Sequence, residues 1–134
     1  MGAPGERAAR LPSPALALRA RAEGVARIVA IAPDLMFASR IQESLGSAGH
    51  EVSLAPSLSE APLDGADLLV ADLEHENPEA LVGLGMPVLG YYSHVDVETK
   101  RLADAAGVDL AVPRSRMARE MPQLAERLLA EPRL

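Results

Sequence analysis

The chain has 134 residues and a net charge of −6, enough for one domain with a single core. It contains no Cys, which excludes disulfides, thiolate catalysis and Cys-bound zinc. Its apolar runs fall short of the roughly 20 residues that a membrane span needs, and its body is too acidic for broad contact with a nucleic-acid backbone.

Charge is uneven along the chain. Met1 to Arg27 carries five Arg against Glu6 and Glu23, so the acidity lies in the remainder. Residues 1–26 read as a flexible or weakly helical tail, since only Leu16 and Leu18 would give a helix from Ser13-Pro14 anything to bury. Arg and Glu interrupt any secretory core there, and Glu6 stands where myristoylation expects Ser or Thr. The tail is expected to be dispensable for folding, and Val25, as a GTG-encoded start, is an alternative to Met1. Arg in preference to Lys, with abundant Ala, Gly and Pro, fits a GC-rich bacterial gene, and the lack of Cys suits a reducing cytoplasm.

The domain is expected over 27–134. Ile28 to Ala32 is an apolar run ended by Pro33, hence a first strand. Asp34 is placed to cap a helix carrying Phe37, Ile41 and Leu45, which Gly46 and Gly49 would stop. Glu51 to Ala55 alternates as a more exposed strand. Ser57-Leu58-Ser59-Glu60 has capping-box form, but Pro62 and Gly65 leave room for only a turn or two. Ala66 to Asp72 is a nearly all-apolar run with a carboxylate towards each end, as in a strand buried on both faces. Asn77-Pro78 opens another short helix closed by Gly83 and Gly85, and Met86 to Tyr92 forms a fourth strand. Asp96 caps a helix ending at Gly107, Asp109 to Val112 is a fifth strand, and Pro122 opens a last helix with Leu124, Leu128 and Leu129 inward. This alternation predicts a five-stranded parallel sheet between helical layers, with short second and third helices.

Arg27-Ile28-Val29-Ala30-Ile31, Ala48-Gly49-His50-Glu51-Val52, Asp67-Leu68-Leu69-Val70-Ala71-Asp72-Leu73, Pro87-Val88-Leu89 and Ala105-Ala106-Gly107-Val108-Asp109 stand in a telling order. In that order and spacing, over about Arg27 to Glu131, they resemble the receiver domains of bacterial response regulators. Ser93-His94-Val95-Asp96 and Pro113-Arg114-Ser115 are similar to segments of a subgroup of receiver-like proteins. The resemblance implies a CheY-like, flavodoxin-like (βα)5 three-layer sandwich with strand order 2-1-3-4-5.

It also implies what each position does. Asp72 falls at the phospho-acceptor, at the carboxyl end of the third strand. The acid pair that holds Mg²⁺ is replaced by Ala32 and Pro33, the Ser or Thr by Tyr92, and the Lys by Arg114. The expectation is therefore a pseudo-receiver whose Asp72 is vestigial and which needs no metal or cofactor. A slip of one residue would instead bring Asp34 and Ser93 into the site.

Asp34, Asp72, Ser93, His94, Asp96, Arg114 and Ser115, with Glu74 and His75, are expected to converge at the carboxyl edge of the sheet. Three functions follow from them. The first is a non-enzymatic signalling module that binds a protein partner, a homodimer included, with Asp72 and Arg114 as an internal pair. The second is a small-anion or nucleotide sensor using Arg114, Ser115 and Ser93. The third is a hydrolase or transferase in which His94, oriented by Asp72 or Asp96, acts as base. Neither Ser93 nor Ser115 lies in a G-x-S-x-G elbow, no G-x-G-x-x-G follows the first strand, and His75 and His94 lack metal-ligand spacing.

Overall fold

The computed structural model describes residues 24–93 and 96–131. The tail expected over residues 1–26 therefore lies outside the described residues up to position 23, and so does His94. Five strands form one parallel sheet: β1 (Arg27–Ile31), β2 (Glu51–Ala55), β3 (Leu68–Asp72), β4 (Val88–Tyr92) and β5 (Leu110–Pro113), in the order β2-β1-β3-β4-β5. Among the described residues four α-helices cover it: α1 (Leu35–Ser47), α2 (Pro78–Val82), α3 (Val97–Ala106) and α4 (Arg114–Ala130), with one 3-10 turn at Leu58–Glu60. The five-fold βα alternation and the brevity of its second and third helical segments follow the sequence pattern. No helix among the described residues is long and apolar enough to cross a membrane.

β3 is central and every one of its residues is buried, as its unbroken apolar run requires. Alternate residues point to opposite faces. Leu68 and Val70 join Ile28, Ala30, Leu89, Phe37, Ile41, Met117 and Leu124 under α1 and α4. Leu69 and Ala71 join Val29, Ile31, Val88, Leu81 and Ala103 under α2 and α3. At the outer edge β2 is half exposed, with a pattern unlike the buried β1.

Helix starts obey local chemistry. Asp34 Oδ1 accepts the Met36 and Phe37 amides at 3.0 and 3.2 Å, Asn77 accepts that of Glu79 at 2.9 Å, and Asp96 that of Thr99 at 3.0 Å. Asp67 and Asp109 precede strands and bind the first amide of a neighbouring one, Arg27 and Val88, each at 2.8 Å. Gly107 ends α3 at φ +94°, a left-handed conformation that glycine adopts without strain.

Two expectations need correction. The Ser57 hydroxyl caps no amide; it meets the Glu60 carboxylate at 3.1 Å, and the Leu58 amide donates instead to Glu76 at 3.3 Å. The last helix starts at Arg114 rather than at Pro122. Proline lacks an N–H and its ring crowds the preceding turn, and the chain absorbs this by a kink at Glu120 (φ −121°, ψ 16°). Pro122 thus opens the second half of a longer helix, with Leu124 and Leu128 buried and Leu129 packed beside them.

At the amino edge, His50 joins three elements. Its side chain is 1% exposed, Nδ1 accepts the Ala26 amide at 2.9 Å, and Nε2 lies 2.6 Å from Glu126 of α4. Since Nδ1 must accept, the ring proton sits on Nε2 and is donated to Glu126. His50→Ala should lower stability by about 1–2 kcal/mol, because it leaves the Ala26 amide without its partner. Urea melts would measure this, with Glu126→Gln costing less because that side chain is 57% exposed.

Candidate functional site

The strand register sets what meets at the carboxyl edge. Ile31 pairs with Ala71, Asp72 with Tyr91, and Tyr91 with Val112. Ala32 follows Ile31 and so neighbours Asp72 across the β1–β3 seam; it is buried, and its amide donates to Ala55 at 3.0 Å. Asp34 lies two residues further on, at the cap of α1.

Asp72 is fully buried, at 0% exposure, and both its oxygens are engaged. Oδ1 accepts the Glu74 amide at 2.9 Å. Oδ2 lies 2.9 Å from His75 Nδ1 and 3.6 Å from Arg114 Nη2. Arg114 turns its other terminal nitrogen, Nη1, to Asp34 Oδ2 at 3.2 Å. One guanidinium therefore bridges two carboxylates, on the first turn of α4. Its carbon sits 4.7 Å from the centre of the Phe37 ring and 5.3 Å from that of Tyr91, so its flat face also gains cation–π attraction.

Asp34 thus serves twice, as helix cap and as ion-pair partner. The Phe37 amide first, then the Met36 amide and Arg114, hold its carboxyl below the usual carboxylate range. Tyr91 is buried, and its hydroxyl has no hydrogen-bond partner among the described residues. Burial, followed by the Asp72 charge, pushes its phenol well above the ordinary tyrosine value. Tyr92 packs on the other face of the sheet, under α2 and α3, so both tyrosines belong to the core.

A second carboxyl contact lies beside the first. The Glu74 carboxyl stands beside that of Asp96 and the Ser93 amide. Local desolvation, then Asp96, pushes the Glu74 carboxyl up, whereas Thr99 holds that of Asp96 down. Of the two, Glu74 is therefore the carboxyl that takes up a proton first as the pH falls. Ser93 contributes its backbone here, and its carbonyl accepts the Asp96 amide at 2.8 Å. Ser115 is exposed on the first turn of α4.

The structure brings Asp34, Asp72 and Arg114 into one network, and Ser93 and Asp96 into the adjoining turn. The imidazole on Asp72 is that of His75, and the expected partnership of His94 falls outside the described residues. His75 lies three residues after Asp72, in a turn where its own amide returns to the Asp72 carbonyl at 3.2 Å. That i, i+3 spacing is the signal that could have found it. Next to Arg114, a groove of about 610 Å³ is lined by Asp34, Met36, Phe37, Arg40, Arg114 and Ala118. Met36, which lines it, is 84% exposed, and its chain neighbour Leu35 is 80% exposed.

No family model matches the chain, and no curated protein matches it either. Solved structures do. The chain is similar to the non-phosphorylated HemR receiver domain of Leptospira biflexa, at 20% identity and a TM-score of 0.68 over 81% of this chain and 98% of that one. It is similar to a response regulator receiver protein from Burkholderia phymatum, at 19% identity and a TM-score of 0.66, with the same coverage. A CheY-like receiver domain protein from Methanospirillum hungatei aligns at 18% identity and a TM-score of 0.68 over 78% of this chain and 94% of that one. The likeness fixes the architecture: this chain has the flavodoxin-like fold of CheY-like response-regulator receiver domains.

Proposed function

We propose that the chain is a pseudo-receiver, a signalling module that acts by protein association without phosphoryl transfer to Asp72. One observation carries the reading: Arg114 bridges Asp72 and Asp34 at 3.6 and 3.2 Å. Receiver chemistry on an aspartate calls for Mg²⁺, which takes hard oxygen ligands in near-octahedral geometry. The positions after β1 offer Ala32 and Pro33, which have no side-chain oxygen. Between the two remaining carboxylates lies a guanidinium, and the described residues hold no group of three or more acidic, His or Cys side chains that could bind a metal. The residues present do not fit Mg²⁺. A fixed cation here balances the buried charge that a metal would otherwise balance.

Association is supported by Leu35 and Met36, large apolar side chains exposed beside the Arg40–Arg114 groove. The anion-sensor reading has less support, because Arg114 already spends its terminal nitrogens on carboxylates. With Mg²⁺ and acetyl phosphate, the protein should form no adduct on Asp72, and titration should find no tight Mg²⁺ site. An adduct that disappears in Asp72→Asn would overturn the pseudo-receiver reading. Met36→Glu should abolish partner binding while leaving the thermal melt unchanged. Equal binding by that variant would move the interaction off this face.

A further inference from the structure

We propose that His75 is a nucleophilic acceptor for a phosphoryl group delivered by a small donor of the phosphoramidate class, with Asp72 as its positioning residue. The inference goes beyond the pseudo-receiver reading, which concerns the Asp72 oxygens alone. Those oxygens are committed to the Glu74 amide, His75 and Arg114, so attack by either would break contacts that hold a buried charge. The same contacts prepare the imidazole. An ionised carboxylate only accepts, so His75 Nδ1 carries the proton and donates it to Asp72. That leaves the lone pair on Nε2. The His75 side chain is 60% exposed, so a small donor can reach that nitrogen from solvent.

The charge balance of the step suits the site. Nε2 attacks phosphorus, the P–N bond of phosphoramidate breaks, and ammonia departs with its own protons. The Nδ1 proton stays in place, and the ring becomes a delocalised cation bearing a phosphoryl group. The carboxylate 2.9 Å from Nδ1 stabilises that cation as it forms, more strongly because it is buried. Arg114 lies at the same carboxylate, on the first turn of a 17-residue helix whose N-cap, Pro113, supplies no side-chain cap.

The full-length protein would be incubated with phosphoramidate and the adduct located by fragment mass analysis. The expected adduct is on His75, stable in alkali and lost in acid, as a phosphorus–nitrogen bond on imidazole behaves. His50, with its side chain 1% exposed, should remain unmodified. The rate should exceed that of an unfolded peptide spanning residues 70–80 by at least about tenfold, the worth of one hydrogen bond to a charged group. His75→Gln should abolish the adduct, and Asp72→Asn should slow it by about the same factor. Where Asp72→Asn fails to fold, ring-nitrogen NMR of the wild type substitutes, and a proton on Nε2 instead of Nδ1 would overturn the proposal. So would a rate equal to the peptide's, or an adduct on His94 and none on His75. An adduct on Asp72 itself would overturn this proposal and the pseudo-receiver reading together, whereas absence at His75 alone would leave the latter standing.

Discussion

Arg114→Ala should lower stability by about 2–4 kcal/mol, because it takes a cation from a carboxylate with no access to water. Asp72 is 0% exposed, whereas Arg114 is 33% exposed, so the cost falls on the partner left behind. The variant also strips the guanidinium from the Phe37 and Tyr91 rings. Asp72→Asn should cost less, about 1–2 kcal/mol, since an amide is cheaper to bury than a charge and still accepts one hydrogen bond. The double variant should recover at least about 1 kcal/mol of the summed loss, as contacting residues do. Arg114→Lys separates charge from shape: it keeps the cation but loses the flat fork and the stacking, and should fall between wild type and Ala. Urea melts of all five proteins would measure this. A stable Arg114→Ala with simple additivity would mean that the two residues do not form a structural pair and that Arg114 is available to an anion.

Gly90→Ala is expected to cost about 2–3 kcal/mol by overpacking. Gly90 faces the α2–α3 side of β4, between Ala71 and Ala111 in the sheet. A Cβ built there would lie 2.5 to 2.7 Å from the Leu73 side chain, closer than carbon atoms approach. Leu73 is 5% exposed and packed into the second core cluster, so it has little room to turn away. It also follows Asp72 directly, so relief by backbone movement would shift the Asp72 carboxylate against Arg114 and His75. Leu73→Ala alone should be destabilising by loss of packing, yet in the Gly90→Ala background it should cost markedly less. If the two substitutions add without coupling, the close approach of Gly90 and Leu73 is not what fixes this corner.

Much of the fold was legible because the rules involved are local. β3 announces itself by an apolar run that only a doubly covered strand tolerates. The caps Asp34, Asn77 and Asp96 stand immediately before their helices. The site was legible in part, through the receiver resemblance that paired Asp72 with Arg114. Contacts distant in sequence were not. Asp34 and Arg114 are 80 residues apart, and nothing near Asp34 shows that its second oxygen is free to leave the cap. The start of α4 was hidden for a different reason. Met117, Met121, Leu124 and Leu128 keep helical spacing along one buried face, but Pro122 interrupts that run with the strongest local stop signal available. The Ser57 capping box failed because the Glu60 amide closes a 3-10 turn on the Ser57 carbonyl at 3.2 Å, which leaves the hydroxyl no amide to cap.

The kink at Glu120 has a consequence for how disturbance spreads. A continuous helix transmits fraying turn by turn, since each hydrogen bond steadies the next. Pro122 donates none, so the ladder of α4 is interrupted between the turn that carries Arg114 and the turn that carries Glu126. The kink then acts as a firebreak. Unravelling that begins at the carboxyl end of α4 should therefore halt before the Arg114 bridge, and loosening around Asp72 should halt before the His50 clasp. The two edges of the sheet should in this way be insulated from each other along the helix that joins them.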